Sequence, residues 1–142
     1  EIIKSKVDFD SYAELNKKIK DFNPDIIGIS TMTFHKNFFH NAIKSIRENG
    51  YKKTIVVGGP HPTTSYKEVL KDKNIDICVI GEGEATFAEI IEKFIENKRQ
   101  KLSYDTLVKI NGIAFSKTNS TKQIKVTKKN NFKDNISLEL SQ

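Results

Sequence analysis

Thr54-Ile55-Val56-Val57-Gly58-Gly59-Pro60-His61-Pro62-Thr63-Thr64 is the stretch that decides the fold. It begins with consecutive β-branched residues and no polar alternation, the pattern of a strand covered on both faces. Two glycines then end the strand, and Ser65-Tyr66-Lys67-Glu68 reads as a capping box that opens a short helix. A buried strand running through a short loop into a helix is half of a parallel unit, because parallel neighbours need a crossover connection.

The same cycle recurs on both sides. Upstream, Ile26-Ile27-Gly28-Ile29 is another short apolar run, and Phe39, Ala42, Ile43 and Ile46 mark the helix after it, closed by a left-handed cap at Asn49-Gly50. Further upstream, Ser11-Tyr12-Ala13-Glu14 is a capping box for a helix carrying Leu15, Ile19 and Phe22 on one face and stopped at Asn23-Pro24. Ile2, Ile3 and Val7 make a short strand before it. Downstream, Ile77-Cys78-Val79-Ile80 is a third buried strand, and Gly81-Glu82-Gly83-Glu84 links it to a helix with an apolar stripe of Phe87, Ile90, Ile91, Phe94 and Ile95. After Arg99 the pattern weakens until Gly112–Phe115 and Gln123–Val126 flank a polar turn as a β-hairpin. The expected fold class is α/β, a Rossmann-like three-layer α/β/α arrangement with a mostly parallel sheet and a C-terminal β-hairpin. Residues 1–127 form the domain, and 128–142 read as a tail or linker.

Bulk properties narrow the function classes. A chain of 142 residues has room for one domain with a hydrophobic core. No apolar run approaches the roughly 20 residues that span a bilayer, and no export signal precedes the first strand, so no membrane partner and a cytoplasmic location are expected. The net charge of +6 is spread over helix faces (Lys17, Lys18, Lys20, Lys44) and a terminal stretch (Lys117, Lys122, Lys125, Lys128, Lys129, Lys133) poor in aromatics. This is a solvated surface with no stacking platform, and no nucleic-acid partner is expected. A single cysteine, Cys78, excludes an internal disulfide and a multi-cysteine metal or iron–sulfur site. The chain begins at Glu1 without a methionine and reads as a fragment of a longer protein.

In an open parallel sheet, ligands bind beyond the carboxyl ends of the strands. Three loops reach that edge: Ser30–His35, Gly58–Thr64 and Gly81–Glu84. Ser30, Thr31 and Thr33 offer hydroxyls; Gly58, Gly59, Gly81 and Gly83 leave the backbone open to close approach; Pro60, His61 and Glu82 complete the loops. Gly81-Glu82-Gly83-Glu84 lacks the glycine spacing of a dinucleotide fingerprint and the lysine–hydroxyl pair of a phosphate loop. His35 and His61 fall in edge loops, but two histidines without a third ligand assign no metal site. Cys78 lies within a strand and is expected to be a buried hydrophobe. No serine–histidine–acid set can be assembled, so no catalytic residue is assigned.

Pro24–Ser30, Val56-Val57-Gly58-Gly59-Pro60-His61-Pro62-Thr63, Asp76-Ile77-Cys78-Val79-Ile80-Gly81-Glu82-Gly83-Glu84-Ala85-Thr86-Phe87 and Ile110–Phe115, in that order, resemble the cobalamin-binding domain of radical S-adenosylmethionine proteins. That group includes enzymes related to the anaerobic magnesium-protoporphyrin monomethyl ester oxidative cyclase and several methyltransferases. The resemblance covers residues 1–127 and implies that strand-end loops hold cobalamin: the hydroxyl loop at Ser30, Thr31 and Thr33, the glycine-rich loops at Gly58, Gly59, Pro60, His61, Gly81, Glu82 and Gly83. It implies base-off binding without a protein histidine on cobalt, since the axial-histidine motif of methionine-synthase-like cobalamin domains is absent here, as it is in many radical relatives. Relatives carry one more strand upstream of Glu1, and Glu1–Val7 aligns with the strand that follows it. With one cysteine, the iron–sulfur cluster and S-adenosylmethionine belong to an absent catalytic domain, the expected partner within a longer chain. The alternative is a degenerate domain that binds no cofactor and serves as an interaction module for that radical domain.

Overall fold

The computed structural model describes residues 8–117 and 124–127. Its elements run α1 Tyr12–Phe22, β1 Ile26–Ser30, a single 3-10 turn Thr33–His35, α2 Lys36–Glu48, β2 Thr54–Gly58, α3 Pro60–Val69, β3 Ile77–Val79, α4 Gly83–Glu96, α5 Tyr104–Leu107, β4 Ile113–Ser116 and β5 Ile124–Val126. The five strands form one sheet in sequence order. β1, β2 and β3 are parallel, in the registers Gly28↔Val56 and Val57↔Cys78, while β4 and β5 add antiparallel at the far side. The expected Rossmann-like α/β fold and its C-terminal hairpin are both present.

Side chains alternate across the sheet, so each strand feeds two cores. Ile55, Val57, Cys78 and Ile80 pack beneath Leu15 of α1, Phe39, Ala42, Ile43 and Ile46 of α2, and Val69 of α3. Val56, Ile77, Val79, Ile113 and Phe115 face Ile90 of α4 and the segment carrying Leu102, Leu107 and Ile110. This two-sided burial explains the unbroken apolar runs in the strands. Burial pushes the Cys78 thiol up to about 12, which makes it the inert core residue expected from its place in a strand.

Three local expectations change in detail. Ser11 caps α1 by accepting from the Glu14 N–H at 3.2 Å, but the Glu14 carboxylate reaches past the cap to the Asp10 N–H at 2.7 Å. The helix expected to open at Ser65 is preceded by a helical segment from Pro60, and Ser65, non-helical with φ −128 and ψ 28, is the kink at which the two segments of α3 join. Proline is tolerated in a first turn because its missing N–H has no partner there, so Pro60 and Pro62 extend the helix upstream without breaking it. Of the α4 stripe, Ile90 and Phe94 are buried, whereas Ile95 stands exposed beyond the end of the covered face. The weak stretch after Arg99 holds α5, capped by the Ser103 hydroxyl. The proposed strand at Ile2, Ile3 and Val7, the hairpin turn at 118–123 and the tail at 128–142 lie outside the described residues.

Gly28 joins α4 to the sheet. A Cβ built on it would lie 2.9 Å from Cζ of Phe87, so the missing side chain is what lets this ring lie across β1. Gly28→Ala is expected to lower stability by about 1 kcal/mol through overpacking, and Phe87→Leu in the same chain to recover most of that loss. Urea unfolding of the two single variants and the double variant measures the coupling.

Candidate functional site

β1, β2 and β3 end together at Ser30, Gly58 and Val79, and the three loops leaving them share one edge of the molecule. Their backbones are stitched together. Thr31 N–H donates to the Gly58 carbonyl at 3.1 Å, His61 N–H to the Thr31 carbonyl at 3.4 Å, and Gly81 N–H to the Thr63 hydroxyl at 3.0 Å. Thr63 therefore ties the third loop to the second, a role its sequence position did not reveal.

The candidates divide by accessibility. Ser30, Thr33, Pro60, Gly81 and Glu82 are exposed, Gly58, Gly59 and Gly83 are half-buried, and Thr31 and His61 are buried. The Thr31 hydroxyl is turned onto the Met32 carbonyl at 3.2 Å, and the His61 ring packs against α2. Thr31 and His61 thus meet the edge through their backbones.

The glycines have different reasons to be glycine. Gly59 has φ +99 and ψ −176, and a Cβ there would lie 2.7 Å from the Thr31 carbonyl oxygen and 2.8 Å from Ser30 Oγ. The chain's own packing demands it. Gly81 has φ +82, but a Cβ there would meet nothing within 4 Å. Its bare backbone faces open space beside the exposed Glu82.

Apolar residues rim the same edge. Met32 is exposed, Phe34 is 91% exposed, and Phe38 stacks at 5.6 Å on Tyr12 of α1. Glu84 occupies the first turn of α4, where a carboxylate is favoured by the helix dipole. Among the described residues no group of three or more histidine, cysteine or acidic side chains is placed to hold a metal ion. A hollow of about 590 Å³, lined by Thr54, Asp76, Ile90, Phe94, Leu102 and Phe115 among others, opens at the opposite edge, where β2 and β3 begin. It is separate from the three loops. Among the described residues no helix is long and apolar enough to cross a membrane.

An open α/β sheet with hydroxyl-bearing and glycine-rich loops gathered at the carboxyl ends of its parallel strands defines a domain of the Rossmann-like class. The chain belongs to the B12-binding domain family, whose model matches residues 2–91 and so takes in all three loops. It is 33% identical over 95 residues to an uncharacterised methyltransferase of Pyrococcus horikoshii, covering 64% of this chain and 20% of that protein. It is 29% identical over 113 residues to the cytidylyl-2-hydroxyethylphosphonate methyltransferase of Streptomyces wedmorensis, covering 79% of this chain and 20% of the relative. With the anaerobic magnesium-protoporphyrin IX monomethyl ester cyclase of Cereibacter sphaeroides it shares 28% identity over 104 residues, 69% of this chain and 17% of the cyclase. The solved structure of the cobalamin-dependent S-adenosylmethionine radical enzyme OxsB superposes with a TM-score of 0.62 at 25% identity, over 84% of this chain and 16% of that enzyme. The chain thus spans about a fifth of the length of the curated relatives it matches.

Proposed function

We propose that the chain is a cobalamin-binding module that serves the radical S-adenosylmethionine domain of a longer protein, a methyltransferase or an oxidative cyclase-like enzyme. The observation that carries this reading is the bare backbone at Gly81, open to approach and flanked by exposed Glu82, on the edge that also presents Ser30 and Thr33. A bulky ligand with many peripheral amides needs such a surface: backbone groups it can approach closely, and short hydroxyls that either donate or accept. These residues fit the group. Ser30, Thr33, Gly81, Glu82 and Gly83 would hold it directly, with the backbones of Thr31, Gly58, Gly59, Pro60 and His61 forming the floor. Bound cobalamin would supply a cobalt centre able to carry a methyl group. This chain's part is to bind and orient the cofactor, and the cofactor brings its own metal, so no protein metal cluster is required.

A second reading, an interaction module without cofactor, draws on the exposed Met32 and Phe34, which a neighbouring domain would cover equally well. One titration separates the two. Purified chain is titrated into hydroxocobalamin and followed by absorbance, with Thr33→Leu and Glu82→Leu alongside, two exposed positions where bulk obstructs the edge without entering the core. The cofactor reading expects a saturable spectral change, weakened about tenfold or more in each variant, equivalent to about 1.4 kcal/mol. No saturable change with the native chain supports the interaction module, and a saturable change that both variants leave untouched would put the cofactor away from these loops.

A further inference from the structure

His61 is enclosed in an unusual way. It is 4% exposed, and both Nδ1 and Nε2 are buried without a hydrogen-bond partner among the described residues. The ring sits edge-on to Phe39 at 6.1 Å and to His40 at 6.0 Å, both from α2. Its backbone does structural work at the site edge: the His61 N–H reaches the Thr31 carbonyl, and the Thr64 hydroxyl donates toward the Pro60 and His61 carbonyls. The buried ring therefore fixes the turn that holds the second loop against the first.

An imidazole seated this way has a strong preference between protonation states. The neutral ring leaves one N–H and one lone pair unmet, while the protonated ring leaves two N–H groups and a charge unmet, a far larger cost. Among the described residues no facing group is free to offset that charge. From α2 come His40 and Lys36, which oppose it. Asp72, in the turn after α3, is engaged by His40 Nδ1 at 2.9 Å, and Glu68 of α3 by Lys71 at 2.8 Å. From the loop after β1, the uncharged Thr31 meets His61 through its carbonyl. We propose that His61 is a proton-operated latch: neutral, it seats α3 against α2 and holds Thr31; on taking up a proton it leaves that seat and releases the Ser30–Thr31 and Gly58–Gly59 junction.

The direction of the pH response follows. Burial, then the charges of His40 and Lys36, hold the His61 imidazole below its ordinary value of 6.5. Above that value both folded and unfolded chains are neutral at this site, and the latch is fully closed. As pH falls through it, the unfolded or opened form gains a proton that the closed form refuses, so closure weakens until the closed form's own lower value is passed.

The test needs no ligand and so stands apart from the cofactor reading. On the native chain, the assigned His61 ring resonances are followed from about pH 8 to about pH 5 together with amide hydrogen exchange, the window in which histidine changes charge. The ring is expected to titrate below the ordinary value. The opening equilibrium reported by the Thr31 and His61 amides, corrected for intrinsic rates, should rise by up to about tenfold per pH unit, the limit for one linked proton, while the Val56 amide does not follow. His61→Phe fills the seat with a ring that cannot titrate and should abolish the response. A His61 that titrates at or above the ordinary value, Thr31 and His61 amides without pH-dependent opening, or a response that survives in folded His61→Phe would each overturn the latch.

Discussion

Gly59→Ala is expected to lower the free energy of unfolding by about 2 to 6 kcal/mol, the sum of two costs that act at one atom. With φ +99 and ψ −176, Gly59 occupies a region of backbone space that residues with a Cβ scarcely enter, worth about 1 to 3 kcal/mol. The added methyl also meets Thr31 O at 2.7 Å, Ser30 Oγ at 2.8 Å and Thr31 N at 3.1 Å. Two of those contacts are backbone atoms of a loop tied to Gly58 and His61, so the overlap is relieved only by parting the loops, at about another 1 to 3 kcal/mol. Urea unfolding should show a lower midpoint with an unchanged slope. Any residual folded chain should bind cobalamin more weakly than the native chain, because the parted loops form the floor of its proposed seat. Gly81→Ala is the control. Its φ of +82 carries backbone strain, but with nothing within 4 Å of the new methyl it should lose less stability.

That contrast shows what was legible in the sequence and what was not. The glycine-rich runs at 58–59 and 81–83 are visible as letters, and the sheet-edge rule places both at one end of the fold. Their meanings differ because φ and neighbouring atoms differ, and neither is written in the local sequence. Gly59 answers to its own chain, whereas Gly81 faces solvent. Likewise the strands were readable because β-branched apolar runs have few alternatives in a two-sided core. The start of α3 was not, because Pro60 and Pro62 read as punctuation unless one knows that they fall in a first turn.

His61 illustrates the same limit from the other side. In a loop at the ligand edge it reads as a candidate contact, and the structure turns its ring away into the packing between α2 and α3. Phe39 and His40, the residues that enclose it, lie more than twenty positions upstream and belong to another helix, so no window of sequence around His61 carries the information. The GGPHPT stretch therefore combines a backbone floor with a side-chain anchor facing the opposite way, and substitutions there are expected to act on the two through separate atoms.

Replacing Arg47 with methionine is expected to cost about 3 kcal/mol, the lower end of the range for breaking a buried charge pair, because the pair is partly exposed. Nothing in its spacing distinguishes Arg47 from the solvated lysines of α2, yet its five N–H donors are all used. Nε and Nη2 donate to Asn74 O at 3.1 and 2.8 Å, Nη1 to Tyr51 O at 3.0 Å and Lys53 O at 2.7 Å, and Nη2 also to Asp76 Oδ2 at 2.9 Å. Asp76 in turn accepts from the Ile55 N–H at 2.8 Å. One guanidinium thus fastens the entries of β2 and β3 to the end of α2, at the edge opposite the three loops. Burial pushes the neighbouring Tyr51 hydroxyl up to about 12, so it stays neutral beneath this network. Arg47→Lys should recover little of the loss, because a single ammonium cannot reach carbonyls spread around a planar fork. Thermal and urea unfolding of both variants measure the cost. Because the lost bonds lie at the far end of the strands, a variant that remains folded should keep the native affinity in the cobalamin titration; a matching loss there would mean that the two edges of the sheet are energetically coupled.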